Sequence, residues 1–202
     1  MTKPQIAVLV SGGGTNLQAL IDAEKSGIIK SGEIRLVVSN NSEAYALKRA
    51  ENAKIKTAII LKNGEPERFE RDLISLLDFH KIDVIVLAGF MSILSEKFTN
   101  HFKDRIINVH PSLIPAYCGK GFYGLRVHEA VLAAGEKITG ATVHFVNEIP
   151  DGGKIIVQRQ VEVKEGDTPE ILQKRVMEQA EWIILPEACE MVCKEILQGE
   201  GK

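Results

Sequence analysis

The residues best suited to chemistry lie in one short stretch, Ile-Ile-Asn-Val-His-Pro-Ser-Leu-Ile-Pro at positions 106–115. Side chains alternate faces along a strand, so Asn108 and His110 project to the same side and Val109 points into the layer behind. Pro111 cannot donate to a sheet ladder and therefore ends the strand. An amide and an imidazole at the carboxyl end of a strand indicate a ligand site able to stabilise negative charge and move a proton. Taken alone, the pair is equally compatible with two satisfied polar groups in a turn.

A second candidate site is the loop Ser-Gly-Gly-Gly-Thr-Asn at positions 11–16, between an apolar run at 6–10 and a helical pattern. A strand, a glycine-rich loop and a helix together aim backbone N–H groups at an anion. The loop lacks the Gly-Lys-Ser/Thr ending of a Walker A motif, and Leu17 stands where a dinucleotide fingerprint has its third glycine. These features favour a phosphate monoester over ATP or NAD, although a glycine-rich turn that binds nothing remains an alternative.

The elements that must position these residues follow a regular pattern. Apolar runs alternate with helical patterns as far as Val109, which predicts an α/β fold with a doubly wound, mostly parallel sheet flanked by helices. Strand patterns at 139–147 and 154–163 surround the turn at 148–153, which predicts an antiparallel extension in the C-terminal half. We expect a single domain over 1–202, with a phosphate-binding half of about 1–105 and a catalytic half of about 106–202.

Composition excludes several classes of function. The 202 residues carry a net charge of -2 with no block of Lys and Arg, which argues against nucleic-acid binding. No signal peptide or membrane-length apolar run is visible, so we expect a cytoplasmic protein with no membrane partner. The three cysteines, Cys118, Cys189 and Cys193, favour neither a disulfide framework nor a metal site.

Other residues have two possible interpretations. Asp151 precedes two glycines and is either a turn former or a functional carboxylate. Phe90 and its neighbours either line an apolar slot for a flat ring or pack in the core. Glu181 and His128 are predicted to lie on the surface, and Pro186 is predicted to kink or divide the C-terminal helix. The Ile114–Pro115 bond in the rigid loop is a candidate for the cis form.

With these motifs assembled, the chain resembles the phosphoribosylglycinamide formyltransferases, folate-dependent enzymes of purine synthesis. The resemblance is carried by Ser-Gly-Gly-Gly-Thr-Asn-Leu-Gln-Ala-Leu at 11–20, Asn-Val-His-Pro-Ser-Leu-Ile-Pro at 108–115, Gly-Ala-Thr-Val-His-Phe-Val at 140–146 and Asp-Gly-Gly at 151–153. It runs nearly end to end. It implies transfer of the formyl group of 10-formyltetrahydrofolate to the glycyl amine of glycinamide ribonucleotide, by direct attack through a tetrahedral intermediate and without a metal.

The resemblance also implies roles for individual residues. The catalytic trio would be Asn108, His110 and Asp151, with Asp151 raising the pKa of His110. The substrate phosphate would be held by Gly13, Gly14, Thr15 and Asn16, and Glu181 would receive the glycinamide amine. The folate would bind Met91, Ser92, Ile93, Leu94 and Asn108, with Ser92 and Pro66 at positions where relatives carry arginine.

Several alternatives stay open from the sequence. The binding partners would be glycinamide ribonucleotide and 10-formyltetrahydrofolate, and the protein would be a monomer or a homodimer. A 10-formyltetrahydrofolate hydrolase is the main alternative. A tRNA formyltransferase is disfavoured by the absence of a basic surface and a further domain. A nicotinamide-dependent oxidoreductase and a phosphate-sensing module account for fewer of these residues.

Overall fold

The computed structural model describes residues 2–199, and within them the strands form one seven-stranded sheet. The strands are β1 (Gln5–Val10), β2 (Glu33–Ser39), β3 (Lys56–Ile59), β4 (Val84–Leu87), β5 (Ile106–His110), β6 (Ile138–Phe145) and β7 (Ile155–Glu162). The helices are α1 (Thr15–Ser26), α2 (Tyr45–Asn52), α3 (Pro66–Phe79), α4 (Glu96–His101), α5 (Leu125–Ala133), α6 (Pro169–Val176) and α7 (Trp182–Gln198), with a π-helical segment at Met177–Glu181.

The sheet order is β3-β2-β1-β4-β5-β6-β7. Strands β1 to β5 pair in parallel, whereas β5–β6 and β6–β7 pair antiparallel. The predicted fold class is therefore confirmed. The chain winds outward from β1 to β3 and then returns to place β4 on the other side of β1. Such a switch point opens a crevice at the carboxyl ends of the strands.

Strand β1 is buried on both faces, as its continuous apolar sequence predicts. Ile6, Val8 and Val10 belong to the core on one face of the sheet, and Ala7 and Leu9 belong to the core on the other. The first core is covered by side chains of α1, α2, α6 and α7. The second is covered by side chains of α3 and α4. This arrangement fixes the carboxyl end of β1, from which the glycine-rich loop emerges.

The helices differ from the sequence prediction at two points. Pro186 lies inside α7 and does not divide it, whereas a kink at this residue stays a prediction; a π-helical segment, Met177–Glu181, lies just before α7. The widened turn ends just before Trp182, whose carbonyl the proline ring would crowd in a regular helix. His128 is fully buried rather than on the surface, because α5 presents it on the same inward side as Val127 and Val131 and packs against α6.

Other features follow the sequence more closely. Thr168 caps α6 by accepting a hydrogen bond from the Ile171 N–H at 3.3 Å, with Pro169 in the first turn. The Ile114–Pro115 peptide bond is cis. None of the described helices is long and apolar enough to cross a membrane.

Candidate active site

The structure brings Asn108, His110 and Asp151 together. Asn108 and His110 lie at the end of β5, and Asp151 reaches them from the turn between β6 and β7. The His110 Nδ1 atom is 3.5 Å from Asp151 Oδ2, and both side chains are largely buried. Strand β6 runs antiparallel to β5, so its last residue, Phe145, lies opposite Ile107 near the start of β5, and the turn that follows brings Asp151 back to His110.

A second imidazole, which no local sequence pattern assigns to the site, completes this cluster. His144 pairs with Asn108 across β5 and β6 and is 2% exposed. Its Nδ1 donates to the Phe145 carbonyl at 2.7 Å, which leaves Nε2 to accept from the Asn108 amide at 3.3 Å. The same Nε2 is 3.5 Å from Asp151 Oδ1. Alternation along β6 places His144 on one face of the strand, but only the strand pairing shows which face meets Asn108.

Backbone groups of the loop after Pro115 form hydrogen bonds with His110 and Asp151. The Nε2 of His110 donates to the Tyr117 carbonyl at 2.8 Å, and the Gly119 N–H donates to Asp151 Oδ2 at 2.9 Å. Tyr117 and Gly119 both have positive φ, 51° and 84°, in the loop after Pro115. The Tyr117 bond fixes the proton of a neutral His110 on Nε2, so Nδ1 faces Asp151 without a proton.

Burial dominates the electrostatics of His110. It lowers the pKa of His110, and the opposing effects of the Asp151 charge and the Tyr117 carbonyl do not fully offset it. Asp151 raises the pKa of His110, as predicted, but burial outweighs this contribution and the net shift is downward. Burial alone would raise the pKa of Asp151, but the neighbouring imidazoles of His144 and His110 and the Gly119 N–H outweigh it, so this pKa is lowered. The pair rests as a neutral imidazole beside a carboxylate.

The geometry of the glycine-rich loop requires a residue without a side chain at Gly14. Gly14 has φ 73°, and a Cβ on it would lie 2.6 Å from the Cβ of Ala46. Helix α1 begins at Thr15 with no side-chain cap. The N–H groups of its first turn lack intrahelical partners, as in any α-helix, and such groups are able to receive an anion. Phosphate binding by Gly13, Gly14 and Thr15 stays a prediction.

Asn16 and Glu181 connect this loop to the C-terminal helices. The Asn16 amide donates to Glu181 Oε2 at 2.8 Å. Glu181 is 7% exposed and ends the π-helical segment, a feature often found at functional sites. Burial raises the pKa of Glu181 despite the bond from Asn16. The surface position predicted from its local sequence is therefore wrong, and its predicted role as the amine-binding carboxylate is compatible with this placement.

A cavity opens beside Asn108 and Asp151. Its walls come from the ends of β4 and β5 and from the turn that carries Asp151, and include Leu87, Phe90, Ser92, Ile93, Leu94, Asn108, His144 and residues 146–151. Met91 is 62% exposed and is not part of these walls, and its contact with folate stays a prediction. Its N–H donates to Ser11 Oγ at 2.9 Å, so the cavity rim is joined to the glycine-rich loop.

Metal ligation was not predicted. Among residues 2–199, no group of three or more His, Cys, Asp or Glu side chains is arranged to hold a metal ion.

The fold and this site define a formyl transferase: the model of that family matches residues 4–189. Among curated proteins, the chain is 43% identical over 176 residues to phosphoribosylglycinamide formyltransferase of Escherichia coli, covering 86% of this chain and 80% of that one. It is 44% identical over 184 residues to the Haemophilus influenzae protein of the same name, covering 90% and 84%. The chain belongs to the phosphoribosylglycinamide formyltransferase family.

Solved structures agree with this relationship. Glycinamide ribonucleotide transformylase 1 from Symbiobacterium toebii superposes with a TM-score of 0.88 at 38% identity, covering 95% of this chain and 88% of that one. Phosphoribosylglycinamide formyltransferase from Coxiella burnetii superposes with a TM-score of 0.86 at 43% identity, covering 96% and 88%.

Proposed function

We propose that the protein transfers the formyl group of 10-formyltetrahydrofolate to the glycyl amine of glycinamide ribonucleotide in purine biosynthesis. The observation that carries this proposal is the position of Asn108, His110 and Asp151 beside the cavity, while Glu181 is bonded to the glycine-rich loop. The Met91–Ser11 hydrogen bond joins the cavity rim to that loop. Two ligand sites therefore share one edge of the sheet, as a reaction between two small molecules requires.

The ribonucleotide binds at the glycine-rich loop in this proposal. The first-turn N–H groups of α1 receive its phosphate, where the helix dipole favours negative charge. Glu181, fixed by Asn16, accepts a hydrogen bond from the glycyl amine and orients it. The Oδ1 atom of Asn16 is buried without a hydrogen-bond partner among the described residues, so it also suits an N–H donor of the substrate.

The cavity beside Asn108 suits the formyl donor. Phe90, Ile93 and Leu94 give it apolar walls for a flat ring, and Asn108 and Asp151 add polar side chains to its lining. This combination of apolar walls and a few polar groups fits a pteridine ring.

The catalytic residues then have complementary tasks. The Asn108 amide donates to the oxygen that becomes negative when the amine attacks the formyl carbon, and loss of such a donor typically costs about 10²–10³ in rate. His110 takes a proton from the attacking nitrogen on Nδ1 and returns it to the folate nitrogen as the bond to the formyl carbon breaks. Asp151 stabilises the imidazolium in between, since it lies 3.5 Å from Nδ1. A resting neutral His110 is the form this role requires.

A formyl-balance assay with 10-formyltetrahydrofolate, with and without glycinamide ribonucleotide, tests the proposal. We expect tetrahydrofolate and formylglycinamide ribonucleotide to appear one for one, and only with the acceptor present. Formate released at the same rate without the acceptor would instead identify a hydrolase. The variant His110→Ala should lose turnover by a factor of about 10² or more while still binding both ligands. Unchanged turnover in that variant would refute the catalytic assignment.

A further inference from the structure

Arg49 is held against the glycine-rich loop by three contacts. Its Nε donates to the Gly13 carbonyl at 2.8 Å, and its Nη1 donates to the side-chain oxygen of Gln18 at 3.1 Å. Its guanidinium carbon lies 5.1 Å from the centre of the Tyr45 ring. These contacts fix a long side chain that would otherwise be free to move, so its positive charge has a defined position beside the loop.

The loop and the start of α2 form one packed unit, which explains why Arg49 stays there. The Ala46 N–H donates to the Gly12 carbonyl at 3.0 Å. Gly14 packs so closely on Ala46 that a Cβ would not fit, and the same added atom would lie 3.4 Å from Cδ of Arg49. A displacement of the loop would therefore carry the guanidinium with it.

The charge of Arg49 has no counterion within the described residues. No carboxylate there lies within 4.0 Å of its guanidinium nitrogens. The two hydrogen bonds use only part of its donor set, and its side chain is half-buried at the loop. The guanidinium has a fixed position and unused donors, and it lies next to the uncapped N-terminus of α1. A phosphate dianion has enough oxygen acceptors to bind the guanidinium and the N–H groups of α1 together.

We propose that Arg49 binds the phosphate of the ribonucleotide and sets the preference of the acceptor site for a phosphorylated acceptor over the corresponding riboside. This inference rests on the proposed function. Arg49 is a binding residue rather than a catalytic one, since its contacts are to the loop and α1 and not to the Asn108–His110–Asp151 cluster. Its removal therefore acts on the KM for the ribonucleotide and not on kcat.

The test combines a change in the protein with a change in the ligand. Glycinamide ribonucleotide and its 5′-dephosphorylated riboside are compared as acceptors for the wild type, Arg49→Gln and Lys48→Gln. We expect Arg49→Gln to raise the KM for the ribonucleotide about 10- to 100-fold, the usual effect of one charge-assisted hydrogen-bond pair. The KM for the riboside, the KM for the formyl donor and kcat should stay the same. Lys48→Gln removes the same charge from an exposed neighbour on α2 and should leave every constant near the wild-type value.

An equal loss of kcat/KM for both acceptors in Arg49→Gln would overturn the proposal, because it would assign Arg49 only to supporting the loop. An unchanged KM for the ribonucleotide would overturn it as well. Arg49→Lys retains the charge without the planar donor geometry and should fall between the wild type and Arg49→Gln for the ribonucleotide alone.

A binding measurement separates this inference from the proposed reaction. Ribose 5-phosphate should raise the melting temperature of the wild type and of Lys48→Gln, but much less that of Arg49→Gln. If the wild type shows this Arg49-dependent shift and yet transfers no formyl group, the phosphate site is supported and the reaction is wrong. If ribose 5-phosphate shifts all three proteins equally, Arg49 does not bind phosphate.

Discussion

At the scale of single residues, His110 and His144 place two imidazoles around one carboxylate. Each ring has one nitrogen bonded to a backbone carbonyl, of Tyr117 for His110 and of Phe145 for His144. The other nitrogen of each ring lies 3.5 Å from a different oxygen of Asp151. The backbone therefore selects the tautomer of both histidines, so a proton taken up by either ring is placed on the side of the carboxylate.

The burial of a third histidine, His128, predicts that the stability of the protein depends on pH. Burial, followed by the charge of His110, lowers the pKa of His128 from 6.5 to about 4. Between these pH values the unfolded chain binds a proton that the folded chain does not, so the free energy of unfolding falls as pH falls. We expect His128→Leu to lessen this acid sensitivity by on the order of 1 kcal/mol, because residual solvation weakens the full effect of such a shift.

Urea unfolding of the wild type and His128→Leu at about pH 7.5 and about pH 4.5 measures this effect. Val131→Ala, at a buried position on the same helix that does not titrate, is the matched control and should lower stability by the same amount at both pH values. If His128→Leu loses stability on acidification as steeply as the wild type, His128 is not the group responsible.

The sequence could predict single residues only where a local pattern determines their direction. Asn108 and His110 project from one face because strand alternation requires it. His128 was placed on the surface because the sequence of α5 does not reveal that α6 covers it. His144 entered the site through the pairing of β5 with β6, which joins residues 36 positions apart and leaves no local signal. The net pKa shift of His110 likewise depends on burial that no local pattern contains.

At the scale of elements, the turn that carries Asp151 depends on a glycine. A Cβ on Gly153 would lie 1.7 Å from the Phe145 carbonyl oxygen, a backbone atom that cannot easily give way. Gly153→Ala should therefore push the turn away from β6 and move Asp151 off His110. We expect kcat/KM to fall by about 10- to 100-fold, since small misplacements of catalytic groups have effects of this size.

Gly166→Ala is the control for this change. Gly166 has φ 80°, so alanine there is also strained, but a Cβ would meet nothing within 4 Å. That variant should lose about 1 kcal/mol of stability and keep its activity in the same steady-state assay. Equal activity of the two variants would show that close packing at Gly153 does not position Asp151.

The elements themselves differ in how well a sequence predicts them. The buried strands were predicted nearly to their ends, because a continuous apolar run between turn residues has few other interpretations. The π-helical segment Met177–Glu181 was not predicted, since its apolar spacing does not distinguish one widened turn from a regular helix. That turn carries Glu181, so the one irregular element of the C-terminal helices is also the one in the candidate site.

At the scale of the whole molecule, the site joins an early and a late part of the chain. The bond from Asn16 to Glu181 joins residues 165 positions apart, and helix α1 packs against α7. The glycine-rich loop and the β5 cluster were predicted as two functional halves of the chain. The amine-binding carboxylate of the proposed mechanism nevertheless comes from the second half and is oriented by a residue of the first. The acceptor site is thus complete only when both halves are folded together.

This arrangement predicts one cooperative unfolding transition for the chain. Ile6 and Leu17 from the first half share a single core with Leu172 and Val192 from the second, so neither half can bury its apolar surface alone. We expect the calorimetric and van't Hoff enthalpies of unfolding to agree. Fragments 1–105 and 106–202, expressed separately, should show no cooperative transition, and mixing them should restore one if they associate. A cooperative transition in fragment 1–105 alone would contradict this prediction and would make the phosphate-binding half an independent domain.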